Sequence, residues 1–60
     1  MKYWTIEVNN WGTLFAKGTE EQAEEWRKAK ANWEHSIARK REATQEEIKS
    51  NEFSNLEDLL

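Results

Sequence analysis

The sequence has no cysteine, no proline, two glycines and one histidine among 60 residues. Without cysteine there is neither a disulfide nor a thiolate metal site. A lone His excludes a His-rich zinc cluster. Gly12 and Gly18 fit no phosphate-binding loop. No window approaches the ~20 apolar residues that a bilayer-spanning helix requires. The first residues hold one Lys and no apolar stretch, so no secretory signal is expected. Together with the missing cysteine, this predicts a cytoplasmic protein without cofactor, metal or membrane partner. Sixty residues make a single domain, 1–60, with a thin core. Domains of this size draw on disulfides, a metal or a partner chain, and only the last route is open here.

Large apolar groups are what the chain has in quantity. Four Trp, two Phe and one Tyr are many for its length, and each can bury on the order of 150–250 Å². Charge is abundant as well, and its sign changes along the chain. Residues 1–26 carry two Lys against five Glu. Residues 27–41 hold six cations against Glu34, and residues 42–60 hold six acids against Lys49. The formal net charge is −3. A mildly acidic surface does not suit duplex DNA, because neutralising phosphates requires basic groups.

Residues 2–8 alternate, with Trp4, Ile6 and Val8 on one face and Tyr3, Thr5 and Glu7 on the other. That is the period of a half-buried strand built from β-favouring residues. Asn9-Asn10 supplies the turn, and residues 12–17 form the return strand. Two registers are open. A two-residue turn sets Val8 opposite Trp11 and Trp4 opposite Phe15. A three-residue turn with a bulge sets Leu14 and Ala16 on the face of Trp4 and Ile6. A one-residue slip exchanges the two faces.

Thr19-Glu20-Glu21-Gln22 matches a capping box. Acids crowd the positive end of the expected helix dipole, and Arg39, Lys40 and Arg41 its negative end. With no Gly or Pro in between, a long helix over residues 19–42 is expected. On it, Trp26, Trp33 and Ile37 align as the stripe facing Trp4, Ile6 and Val8, while Ala31 and Ala38 form a small-residue strip fit for another helix. Thr44-Gln45-Glu46-Glu47 repeats the capping pattern, which predicts one or two short helices within 44–60. The expected fold class is therefore α+β, a two-stranded antiparallel hairpin packed on one long helix with a short helical C-terminal segment.

Catalysis is the weakest reading. His35 falls opposite the Trp stripe, Ser36, Ser50 and Ser54 have no base arranged beside them, and the acids lack the enclosed, dissimilar environments that acid–base work needs. The chain is not expected to be an enzyme. Arg27 to Arg41, with Trp26 and Trp33 interleaved, could stack single-stranded nucleic acid. The acidic segments on both sides oppose that reading, and core packing explains the two Trp.

Binding surfaces remain. Tyr3 with Phe15, or with Leu14 in the other register, is left beside Trp11 on a sheet face that one helix cannot cover, next to open strand edges. Phe53, Leu56, Leu59 and Leu60 resemble helix-in-groove anchors, although folding back to complete the core, or sealing a dimer, is the favoured reading for them. Glu20, Glu21, Glu24 and Glu25, with Glu46, Glu47, Glu57 and Asp58, form an acidic surface that could dock on a basic site. The expected function is a protein-binding inhibitor or regulator of a larger host complex. A homodimer is expected as well, for example two hairpins joined edge to edge into four strands, and a homodimeric structural or assembly protein is the alternative function. In size, composition and lack of catalytic chemistry the chain resembles the small acidic proteins of phages and mobile elements, such as anti-CRISPR proteins. No motif carries that resemblance, which is one of class alone.

Overall fold

The computed structural model describes all 60 residues. Its first element is the expected hairpin. Strand β1 (Lys2–Val8) pairs antiparallel with β2 (Gly12–Gly18) in the register Trp4↔Ala16, Ile6↔Leu14 and Val8↔Gly12. The connection is therefore the three-residue turn Asn9-Asn10-Trp11. Asn10 takes φ 70° and Gly12 φ 135°, conformations that Asn tolerates and Gly permits freely. Leu14 and Ala16 thus share a face with Trp4 and Ile6, and Phe15 lies opposite Thr5 on the other face.

Helix α1 (Glu20–Glu34) opens on the expected capping box. Thr19 Oγ1 accepts from the Gln22 amide at 3.1 Å, and Gln22 Oε1 accepts from the Thr19 amide at 2.9 Å. The helix then stops eight residues short of expectation. His35 adopts the left-handed conformation at φ 51°, and the Ser36 amide bonds back to the Ala31 carbonyl. Residues 38–42 form a strand instead, β3 (Ala38–Glu42), antiparallel to β1 with Ile6↔Lys40 in register.

Length explains the correction. Fifteen helical residues span roughly 22 Å, about the ~23 Å of a seven-residue strand. A helix over 19–42 would run about 36 Å, beyond the 31 Å long axis of the folded chain. The free edge of β1 offers Ala38 to Glu42 a full ladder. That tertiary gain overrides a weak local preference for helix.

The remaining elements complete the sheet. Helix α2 (Gln45–Ser50) opens on the second capping box. Strand β4 (Ser54–Asn55) pairs parallel with β2, and α3 (Leu56–Leu59) follows. The sheet order is β3-β1-β2-β4, so the α+β class holds with four strands rather than two. The C-terminal segment wraps the β2 edge. Phe53 packs edge-on against Tyr3 and Phe15 on the outer face, with ring centroids 5.0 and 5.5 Å apart. Three residues later, Leu56 is fully buried in the core on the α1 side with Trp4, Ile6, Val8, Ala16, Ala23 and Ala38.

The seam between helix and sheet also departs from expectation. The buried residue of α1 is Ala23, while Trp26 and Ala31 pack at the core's margin. Trp33 is 80% exposed and Ile37 60%. Alanines let the helix approach the strands closely, and the Trp line is rolled to the helix flank. The expected small-residue strip is broken up, since Ala38 lies in β3 and Ala31 packs beside Ala23 towards the sheet.

Gly18 shows how tight this packing is. A Cβ there would lie 3.0 Å from Leu56 Cδ1 and 2.5 Å from Gln22 Oε1. Gly18→Ala is expected to cost about 1–3 kcal/mol through overpacking, and Leu56→Ala about 2–5 kcal/mol through the cavity left. Against a total of roughly 3–9 kcal/mol for a domain of this size, either change should shift the denaturant midpoint visibly. An unchanged midpoint for Leu56→Ala would contradict its place in the core.

Candidate functional site

Two acidic side chains prove to be structural. Glu24 takes a bidentate bond from Arg27, with contacts of 2.8 and 2.6 Å, and accepts from Lys40 Nζ at 3.1 Å. Arg27 in turn donates to the Ala38 carbonyl at 2.9 Å. This cluster ties α1 to β3. The Arg27 guanidinium first, and Lys40 second, hold the Glu24 carboxyl down at about 2. Glu47 is the second hub. Its carboxylate accepts from both Arg41 terminal nitrogens at 2.7 and 2.8 Å, from the Thr44 amide at 2.9 Å and from Thr5 Oγ1 at 3.1 Å. Thr5 is a buried residue of the outer sheet face, so these bonds seat α2 there. The Glu47 carboxyl is likewise lowered to about 2, chiefly by Arg41 and then by the Thr44 amide.

The residues proposed from sequence therefore separate into groups. Tyr3 and Phe15 are joined by Phe53, which covers part of the outer face; Tyr3 stays exposed at its margin. Leu56 is wholly enclosed and unavailable to a partner, which corrects its place among the anchors. Glu24 is consumed by internal ion pairs, and Glu20 lies 3.9 Å from Lys40. Glu21 and Glu25 are exposed and join no ion pair. Trp11 does not sit beside Tyr3 and Phe15. It reaches to the helix side and packs edge-on against Trp26 at 5.6 Å, with Lys30 Nζ 4.3 Å above its ring.

That contact leads to an apolar concave surface. A groove of about 460 Å³ runs between α1 and α3, with Trp26, Ala29, Trp33, Leu59 and Leu60 as its apolar lining. Glu25 and Lys30 stand at its rim. Glu25, Ala29 and Trp33 are spaced i, i+4, i+8, so one helix face presents all three. Ala29 is the low point between two indoles. A larger hollow at the start of α1, about 950 Å³, is lined by no apolar side chain at all, unlike typical ligand pockets. No three His, Cys, Asp or Glu gather to hold a metal ion, and no helix is long and apolar enough to cross a membrane.

Trp33 and Ala29 were missed as site residues because a stripe continuing through Ile37 looked like core, whereas Leu59 and Leu60 were expected among the anchors. One signal of the true helix end was present: His35 is among the residue types that tolerate the left-handed region. No family model matches the chain, and no curated protein or solved structure matches it either.

Both carboxylate hubs have folded values near 2 against an ordinary 4.5. A depressed carboxyl stabilises the fold above its unfolded value, and that contribution is lost as pH falls through the folded value. Stability should therefore decline as pH drops from about 4.5 towards 2. In Glu24→Gln/Glu47→Gln the decline over that window should flatten, as read from urea midpoints across the pH series. An unaltered slope would show that other groups govern acid unfolding.

Proposed function

We propose that this protein is a small non-enzymatic binding module that inhibits or regulates a larger protein partner, and that it docks through the groove between α1 and α3. One observation carries the reading. With the core already closed, Trp11, Trp33, Leu59 and Leu60 are still exposed along one side of the molecule, and Trp33 is 80% so. Trp11 and Trp33 both border the half-buried Trp26, so the patch is continuous. Exposed apolar patches rimmed by charge mark interaction sites, and Trp is the residue most enriched among energetic hot spots. No grouping of nucleophile, base and enclosed pocket competes with this reading. A cytoplasmic site of action suits a chain without cysteine, and the class resemblance to small acidic phage proteins supports an inhibitory role.

The homodimer is the second reading, and Trp33 favours it in one respect. The indole both projects and lines a groove, so two copies could exchange it. Capture on tagged protein together with mass in solution separates the two. The wild type is expected to be monomeric and to retain a stoichiometric larger partner. Trp33→Ala/Leu60→Ser should weaken that capture by about 30-fold or more, the scale of a hot spot, with stability changed by roughly 0.5 kcal/mol or less at such exposed positions. A concentration-dependent dimer abolished by the same substitutions would transfer the groove to self-association.

A further inference from the structure

We propose that the occupant of the α1–α3 groove is a basic amphipathic helix, an inference that rests on the protein-binding reading above. The first argument is charge. Six acids join no ion pair, namely Glu21, Glu25, Glu46, Glu52, Glu57 and Asp58. Four of them lie on α1 and α3, the two elements that build the groove. The cations on α1 are engaged: Arg27 and Lys28 with Glu24, and Lys30 with Glu34 at 3.2 Å. The unengaged cations, Lys17, Arg39 and Lys49, belong to β2, β3 and α2. The groove therefore has an apolar floor with Glu25 and Lys30 at its rim, on two elements that together carry four unpaired acids and no unpaired cation. A partner with Lys or Arg flanking its apolar face supplies the missing charge.

The second argument is shape. The floor from Glu25 to Trp33 covers nine residues of helix, roughly 12 Å from first to last. That matches the reach of i, i+3/i+4, i+7 anchors on an incoming helix. Ala29, between the two indoles, lets a backbone come close. An incoming strand would need a free sheet edge, and the groove has none. The edges lie elsewhere: β4 is two residues long, and β3 carries Arg39, Lys40 and Arg41, the charges that discourage strand addition. A second copy is disfavoured, because two-fold packing groove to groove would bring together two α1–α3 surfaces with the same surplus of unpaired acids.

The test uses a synthetic Leu/Lys peptide with a 3.6-residue apolar period, its Leu/Glu counterpart, and phosphatidylcholine vesicles. The readout is the indole N–H NMR signals of the intact protein. The Leu/Lys peptide should shift Trp26 and Trp33 and spare the buried Trp4. Its affinity should fall roughly tenfold or more in Glu21→Lys/Glu25→Lys/Glu57→Lys/Asp58→Lys, and also with added salt. Trp33→Ala/Leu60→Ser should lose it. The proposal is overturned if the Leu/Glu peptide binds equally, if Leu/Lys binding is absent or survives the groove variant, or if vesicles or a second copy occupy the groove instead. The two levels separate on the captured natural partner. If the groove variant loses that partner while the charge-reversed variant keeps it, protein binding stands and the basic helix falls. If the groove variant keeps the partner, docking at this surface falls as well.

Discussion

Everything in this fold is arranged around the enclosure of β1. The strand has neighbours on both edges, β3 and β2, and covered groups on both faces. Inward, Trp4, Ile6 and Val8 meet Ala16, Ala23, Ala38 and Leu56. Outward, the Thr5 hydroxyl would be a costly buried polar group if left alone, and it donates a hydrogen bond to the Glu47 carboxylate. Trp4 shows the same logic inside the core, where its indole N–H donates to the Gly18 carbonyl at 3.1 Å. No buried side-chain nitrogen or oxygen is left without a partner. A chain this short reaches that state because each segment after α1 returns to the same strand pair: β3 to the β1 edge, α2 to the outer face, and β4 and α3 around the β2 edge.

The two ion-pair hubs follow from that enclosure. β3 lies along an edge and buries only Ala38, so its apolar hold on the sheet is slight. Its cations compensate in opposite directions. Lys40 turns to Glu24 on the helix side, and Arg41 turns to Glu47 on the outer side. Alternation along a strand puts neighbouring residues on opposite faces, so Arg41 and Lys40 fasten the strand to both layers. A surface ion pair contributes little by itself. Here Glu47 also closes the α2 capping box and accepts from the buried Thr5 hydroxyl, while Glu24 joins Lys40 to an Arg27 that itself donates to the Ala38 carbonyl.

How far the fold was legible follows from which signals were local. The hairpin, both capping boxes and the start of each longer helix are written in short-range chemistry, and all are found where the residues place them. The three-residue turn was one of two registers consistent with the pattern, and Gly12 at positive φ realises it. The third strand was not legible from Arg39-Lys40-Arg41, because three cations at a helix C-terminus and three cations on an edge strand look alike. What separates them is the vacant edge of β1, a tertiary fact. The Trp stripe misled for a related reason. Trp26 and Trp33 do align, but an alignment does not say which face of the helix turns inward. Ala23 and Ala31 win the inward position because a thin sheet packs closer to methyl groups than to indoles.

That outcome bears on function. Rolling α1 towards its alanines strands a Trp on the flank, where Leu59 and Leu60 meet it and a groove results. If burial of apolar area alone had set the orientation, Trp33 would be inside, and the aromatics would be core in the ordinary sense. The fold instead closes its core with small residues and Leu56, and it holds Trp11 against Trp26 under Lys30 at the surface. Large rigid side chains held in place before any partner arrives lose little freedom on docking. The acids along α1 and α3 are left without counter-charges by the same arrangement, since the internal hubs have already taken Arg27, Lys40 and Arg41. The enclosure that stabilises β1 thus also determines which aromatic and which acidic groups remain for the proposed partner.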